Sequence, residues 1–251
     1  MKNLWESFTD KYESTIIHPQ FIVLTLIRDE MKKQKKYIKN KTLIDIGCGR
    51  MPYKKIYKKE FKTYTGLDHP QREDFYKTKE EPEILADITK KLPIKNNIFD
   101  VALLTQIIEY LEKPEETLKE IFRILKSGGT LILSTPFLYP IHDAPHDRNR
   151  FTDTQVKSML EASGFRIIKI KTIGKFTDFW LQSLNIYLLK TIMDILKSKK
   201  TVANTLYLSM LLLTTPITII TTNIIFLLTK DKKIKLPNYF PLDYIAVAIK
   251  Q

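Results

Sequence analysis

Cysteine is almost missing from this chain. Cys48 stands alone, so no intrachain disulfide can form and a reducing, cytoplasmic setting is expected. Glycine is scarce too, with 7 in 251 residues, so any place where two fall together stands out. Acids are outnumbered by bases, 28 to 41, which leaves a formal net charge of +13. That surplus suits nucleic acid, anionic lipid or a phosphorylated partner, and it equally suits a compositional bias toward Lys. The first ~30 residues lack a basic start, an apolar run and a small-residue cleavage site, so no secretory signal is expected. No internal repeat is present. Hydrophobic residues at 43% and charged residues at 27% exclude wholesale disorder and allow one large domain, or one domain with an appendage.

Short apolar runs alternate with amphipathic stretches. Residues 19–37, with Pro19 in the first turn and a Lys-rich end, predict a helix. Runs at 42–47, 62–68, 83–87, 99–105, 129–137, 166–173 and 243–250 predict seven strands. Between them, 114–126 has Pro114 and two glutamates at its start, Lys126 at its end and Gly128 just beyond. Thr152 and Gln155 form a capping-box pattern that opens a further helix, closed near Gly164. The alternation predicts an α/β fold with a mostly parallel, doubly wound sheet.

Ligands of such sheets bind beyond the carboxyl ends of the strands, where this chain carries DIGCG, Asp45 to Gly49. Glycine there admits close backbone approach, and Asp45 can accept from a cationic or amine group. Asp68 ends the second strand at the distance where an acid meets a ribose diol, and Asp87 ends the third, able to accept from an exocyclic amine. The three acids make a cradle for a nucleoside joined to an amino acid. A pyrophosphate site is disfavoured, because the third glycine of G-x-G-x-x-G and a Lys-Ser/Thr pair are both missing and carboxylates would repel the anion.

Taken in order, LIDIGCGRMPYKKIYKKEFKTYTGLD and ADITKKLPIKNNIFDVALLTQIIEYLEKPEETLKEIFRILKSGGTLILSTPF resemble the class I S-adenosylmethionine-dependent methyltransferases, in the broad group that includes small-molecule, lipid and glycan enzymes. The likeness runs from about residue 42 to 173 and resumes at 243–250. It implies a Rossmann-like seven-stranded sheet and S-adenosyl-L-methionine as cofactor. It also implies that Gly47, Cys48 and Gly49 pass under the methionine part with Asp45 near its amino group. Asp68 would bind the ribose, Asp87 and Ile88 the adenine, and Thr105 and Gln106 would line the pocket near the sulfonium. Tyr110 departs from the pattern, since many relatives carry histidine after the glutamate retained here as Glu109.

The loop YPIHDAPHDRNRFTD, residues 139–153, resembles an acceptor-site segment of related glycan and envelope enzymes. His142 or His146 could take a proton near neutral pH, with Asp143 or Asp147 orienting the ring, while Arg148 and Arg150 could hold an anionic part of the substrate. Against that stands a structural reading in which Asp147 and Arg150 tie the loop down. No metal is expected, because Pro145 opposes a helix with both histidines on one face.

The stretch 201–229 contains no charge. Basic flanks on both sides and a return to the last strand oppose a single crossing. Pro216 divides the run into two arms of about 14 residues, each about 20 Å long against a bilayer core of about 30 Å. A hairpin bent at Pro216, dipping into or lying on a bilayer, is therefore expected. The rival is a soluble protein whose arms form a lid or a homodimer interface.

The expected organisation is an N-terminal helical segment over 1–41, a methyltransferase domain over 42–175 and 236–251, and an apolar helical insertion over 176–235. The expected activity is methyl transfer to a lipid-like or lipid-linked acceptor, by an enzyme peripheral or monotopic on the inner face of the cell membrane. Alternatives are a soluble enzyme acting on a small metabolite or sugar, and a non-catalytic scaffold that keeps the cofactor. Nucleic acid is disfavoured as a partner, since no recognition module or aromatic-basic stripe is present.

Overall fold

The computed structural model describes residues 15–70, 81–141, 145–198, 201–231 and 239–251. In chain order its elements are α1 (Phe21–Lys32), α2 (Lys35–Ile38), β1 (Thr42–Ile46), α3 (Pro52–Ile56), β2 (Thr63–Asp68), β3 (Ile84–Leu85), β4 (Phe99–Thr105), α4 (Pro114–Ile124), β5 (Leu125–Pro136), α5 (Asp153–Ala162), β6 (Phe165–Ile173), α6 (Phe176–Lys197), α7 (Val202–Thr229) and β7 (Asp243–Lys250). A 3₁₀ turn, Ile108–Tyr110, follows β4. The chain divides into two compact units: residues 30–137, 141–172 and 243–251 make one, and residues 1–29, 138–140 and 173–242 the other.

The first unit holds the sheet, in the order β3-β2-β1-β4-β5-β7-β6. Pairs β1–β2, β1–β4, β2–β3 and β4–β5 are parallel, and β5–β7 is antiparallel. Both faces are covered, as continuous apolar strands require. Ile44, Ile46, Ala102, Leu104, Leu131 and Leu133 point to the face packed by Leu118 and Ile121 of α4 and Val156 and Leu160 of α5. Alternate residues Leu43, Val101, Leu103 and Ile132 are buried on the other face. α5 starts as its sequence predicts, with the Thr152 side chain accepting from the Gln155 N–H.

Two predicted elements differ in extent. The helix expected over 19–37 breaks at Lys33–Gln34, because the Gln34 side chain donates to the Glu30 carbonyl at 2.8 Å and its own N–H turns to Met31. The third strand keeps two residues, Ile84–Leu85.

In the second unit, α6 and α7 form an antiparallel hairpin. Lys175 at the start of α6 donates to the Thr229 carbonyl at the end of α7, and Asn204 near the start of α7 donates to Ser198 just past α6. The bend expected at Pro216 is not there. α7 runs through Pro216 as one helix of 28 residues, about 42 Å long, with Thr201 as its N-cap. An interior proline costs a helix about 3 kcal/mol, which packing of a buried stripe can offset. That stripe, Leu211, Thr215, Ile219, Thr222 and Phe226, recurs every three or four residues along the buried side of α7.

Buried amides fasten the base of the hairpin. Asn185 Nδ2 donates to Asn223 Oδ1 at 3.2 Å, Thr222 donates to Asn185 Oδ1 at 2.7 Å, and Asn223 Nδ2 donates to the carbonyls of Ile16 and His18. Gln182 accepts from the Val23 N–H and donates to the Pro19 carbonyl. Phe21, Ile22, Phe226 and Leu242 close a small core beside this network. Asn223→Ala strands the buried Asn185 amide donor and takes a donor from the Ile16 and His18 carbonyls, so it should destabilise the hairpin by about 1–3 kcal/mol and lower its unfolding midpoint in thermal denaturation.

Candidate active site

The parallel strands deliver their carboxyl ends to one edge, and unusual backbone collects there. Gly47, Gly49, Met51 and Gln106 all have positive φ, between 51° and 68°. At Gly47 a side chain is excluded twice: φ is +68°, and a Cβ would lie 2.4 Å from Ile107 Cδ1. The N–H groups of Gly47 and Cys48 both donate to the Leu67 carbonyl, at 2.8 and 3.1 Å, folding the loop onto β2. Asp68 then locks it, accepting the Gly49 N–H at 2.8 Å on one oxygen and the His69 N–H at 2.7 Å on the other. Among the described residues nothing comes within 4 Å of a Cβ built on Gly49, so this backbone is open to a ligand.

Asp45 is wholly buried at the end of β1. Tyr64 donates its hydroxyl to Oδ2, and Oδ1 has no hydrogen-bond partner among the described residues. Burial, reinforced by the Asp68 charge and opposed by the Tyr64 hydrogen bond, pushes this carboxyl up to about 7. Cys48, buried between the glycines, has its thiol pushed up by burial and by Asp45, Asp68 and Glu83, which leaves it unreactive. Asp87 accepts from the Thr89 N–H and hydroxyl at 2.9 and 2.7 Å and pairs with Lys90 at 3.5 Å, so its carboxylate serves its own turn and sits below the usual range. The Ile88 side chain packs on the core while its carbonyl accepts from Thr117.

Beyond β4, Thr105 is buried beside Ser134 in the sheet register. The Gln106 side chain is committed internally, donating to Ser134 Oγ at 3.1 Å and to Asp243 Oδ1 at 2.6 Å. On the acceptor side His142 and Asp143 lie outside the described residues, and His146 is exposed. Arg150 grips Asp147 with two nitrogens and the Asn149 carbonyl at 2.7 Å, the structural alternative to the substrate-binding role expected for Arg150. Arg148 is half exposed, 3.6 Å from Glu112.

Three residues that pattern reading did not select belong to the site. Tyr64 holds Asp45. Glu109, in the turn after β4, and Asp243, at the start of β7, are completely buried carboxyls. Burial raises them to about 8 and about 7. Only the EY pair after β4 hinted at Glu109. Nothing local distinguishes Asp243, whose depth comes from the strand it opens.

A family model described as a methyltransferase domain matches residues 44–133. Residues 44–133 thus carry a methyltransferase domain of the class I S-adenosylmethionine-dependent kind. Over 188 residues the chain is 23% identical to an uncharacterized protein of Methanocaldococcus jannaschii, covering 70% of this chain and 88% of that one. A Mycolicibacterium smegmatis protein named a probable S-adenosylmethionine-dependent methyltransferase is 26% identical, over 57% of this chain and 58% of its own. This chain shares its fold with a crystal structure of a SAM-dependent methyltransferase from Archaeoglobus fulgidus, at TM-score 0.57 and 18% identity, covering 98% of this chain and 99% of that one.

The residues present fit the methyl donor. Asp45 Oδ1 offers a buried, unpartnered acceptor for its amino group, Gly49 an open backbone, and Asp68 a carboxylate at the second strand end. When bound, S-adenosylmethionine supplies an activated methyl group on a cationic sulfur. For this methyltransferase the raised acids carry a sign. Their protons bind more tightly in the folded chain, so their contribution to stability is greatest below the ordinary carboxylate range and fades as pH climbs toward 7 or 8. An ammonium at Asp45 favours the ionised form, so cofactor affinity should rise from pH 6 to pH 8 with release of protons, measured by titration calorimetry in two buffers of different ionisation heat. Asp45→Asn should weaken binding by roughly 10-fold or more and flatten that rise.

Proposed function

We propose that this methyltransferase transfers the methyl group of S-adenosylmethionine to a lipid-like or lipid-linked acceptor, working at the cytoplasmic face of a membrane. One observation carries the reading: α7 exposes large apolar side chains along most of its length, interrupted only by hydroxyl side chains and without any charge. Leu206, Leu213, Ile217 and Leu228 are 67–74% exposed, and only 33% of the most apolar window of the helix is buried. Each such side chain gains roughly 1.5–3 kcal/mol on leaving water completely. A single soluble domain rarely leaves so long an apolar surface uncovered.

The polar atoms of α7 support a lipid environment over a protein one. Thr205, Ser209, Thr214 and Thr218 each donate to the carbonyl four residues back, at 2.9–3.0 Å, so these exposed hydroxyls need no outside acceptor. Asn223, the strongest polar objection in the sequence, is buried against Asn185 and the N-terminal carbonyls. Lys197 at the end of α6 is exposed, and the whole chain carries +13, a charge suited to anionic headgroups.

Detergent-free protein mixed with phosphatidylglycerol-containing vesicles should float with them. A Leu206→Glu, Leu213→Glu, Ile217→Glu variant should stay in the soluble fraction while still binding S-adenosylmethionine. Methyl-labelled cofactor should then label a component of a total lipid extract. A monodisperse protein that ignores vesicles, or that forms a dimer burying α7, overturns the reading.

A further inference from the structure

Glu109 is the group in the sheet unit whose placement the fold leaves unexplained. Its main chain is clamped: the Glu109 carbonyl accepts the Arg148 N–H at 3.2 Å, the Asn149 N–H at 3.0 Å and Asn149 Nδ2 at 3.2 Å. Asn149 Nδ2 also donates to the Leu111 carbonyl at 2.8 Å, so one side chain staples the loop after β5 to the turn after β4. The Glu109 carboxyl, by contrast, is completely buried and neither oxygen has a hydrogen-bond partner in any other described residue. A buried carboxyl left unpaired is costly, and native proteins keep such groups for a reason. The neighbouring cation does not supply the missing bond, since Arg150 points its fork at Asp147. Asp243 repeats the pattern by half: Gln106 satisfies Oδ1 at 2.6 Å, and Oδ2 has no partner among the described residues.

This cluster sits at the strand ends where methyl transfer must occur. Glu109 follows β4 by four residues, Asp243 opens β7 opposite Pro136 at the end of β5, and Arg148 to Arg150 belong to the loop read as acceptor-binding. We propose that Glu109 is a catalytic residue of this methyltransferase, its carboxylate taking the proton from a hydroxyl or amine of the acceptor. The acceptor's O–H or N–H bond breaks and its proton goes to a Glu109 oxygen. The lone pair so freed forms the bond to the methyl carbon, the carbon–sulfur pair stays on sulfur, and the donor leaves as a neutral thioether. The inference rests on methyl transfer and is independent of whether the acceptor is a lipid.

The charged groups acting on Glu109 are Asp243 of β7 and Asp147 and Arg150 of the loop. Burial raises its proton affinity most, its own main-chain N–H and Arg150 oppose this, and Asp243 and Asp147 add to it, with the result at about 8. A base with affinity near the working pH is suited to its task. Positive charge brought to this edge by the methyl donor shifts Glu109 toward the ionised form that can accept a proton.

Glu109→Gln keeps the shape and removes the proton acceptor. It should lower label transfer into the lipid extract by about 100-fold or more, while calorimetric affinity for S-adenosylmethionine and the melting temperature stay close to those of the parent chain. The rate of the parent should rise with pH and that of Glu109→Gln should be flat. Carbon-13 resonances of carboxyl-labelled glutamate give a readout without an acceptor: the resonance lost in Glu109→Gln should titrate near neutral pH or above, and move to lower pH when S-adenosylmethionine is added. Should Glu109→Gln unfold, Glu109→Asp serves for both assignment and rate, with partial activity expected. Titration of Glu109 in the ordinary carboxylate range, or undiminished label transfer by Glu109→Gln, overturns the proposal. If the parent chain labels no lipid, the lipid reading falls by itself and the resonance titration still decides the role of Glu109.

Discussion

The hydrogen bond from the Gly49 amide to the Asp68 carboxylate is the contact on which the cofactor edge depends. It joins the loop after β1 to the end of β2, and with the Gly47 and Cys48 amides on the Leu67 carbonyl it holds two adjacent strands at one register. Left-handed backbone at both glycines makes that closure feasible without strain, and Ile107 fills the space a Gly47 side chain would need. Asp45 is then left pointing an unpaired oxygen beside the loop, with Tyr64 fixing its other oxygen. A carboxyl so placed is costly in the empty protein and suited to a cationic ligand. The same residues thus explain both the cost of the buried carboxyl and its use.

Across the edge the chemistry is organised by negative charge kept out of water. Glu109, Asp243 and Asp147 gather around a single guanidinium that is tied to Asp147. The cofactor side has a comparable logic in Asp45 and Asp68. Both groups of acids favour the arrival of positive charge and disfavour phosphate, in keeping with a sulfonium donor and with the lack of a pyrophosphate loop. Exposed apolar residues, by contrast, are concentrated on the α6–α7 hairpin, which belongs to the other compact unit. The two units divide the labour between chemistry and, as proposed, contact with lipid.

Much of this was legible in the sequence because scarce residues mark it. With so few glycines, DIGCG marked the loop of left-handed backbone that folds onto β2, and the acids Asp45 and Asp68 fell near the ends of adjacent strands. Thr152 and Gln155 announced the start of α5. What escaped depended on distant partners. The Tyr64 hydroxyl finds Asp45 only through the β1–β2 register, and Asp243 becomes a buried acid only because β7 inserts antiparallel beside β5. Pro216 misled because a proline's local cost is visible in sequence, whereas the packed stripe that outweighs it is not. Asn223 pairs with residues 16 and 18, roughly two hundred positions away, which no local pattern reveals.

The central claim is that the β1–β2 edge is built for S-adenosylmethionine, and a crystal structure with S-adenosylhomocysteine tests it most directly. The predicted result is a ligand lying over Gly47–Gly49, its amino group at Asp45 Oδ1 and its ribose hydroxyls at Asp68. A ligand bound elsewhere, or crystals soaked at saturating concentration that show an empty edge with Gly49 and Asp68 unchanged, would contradict the account.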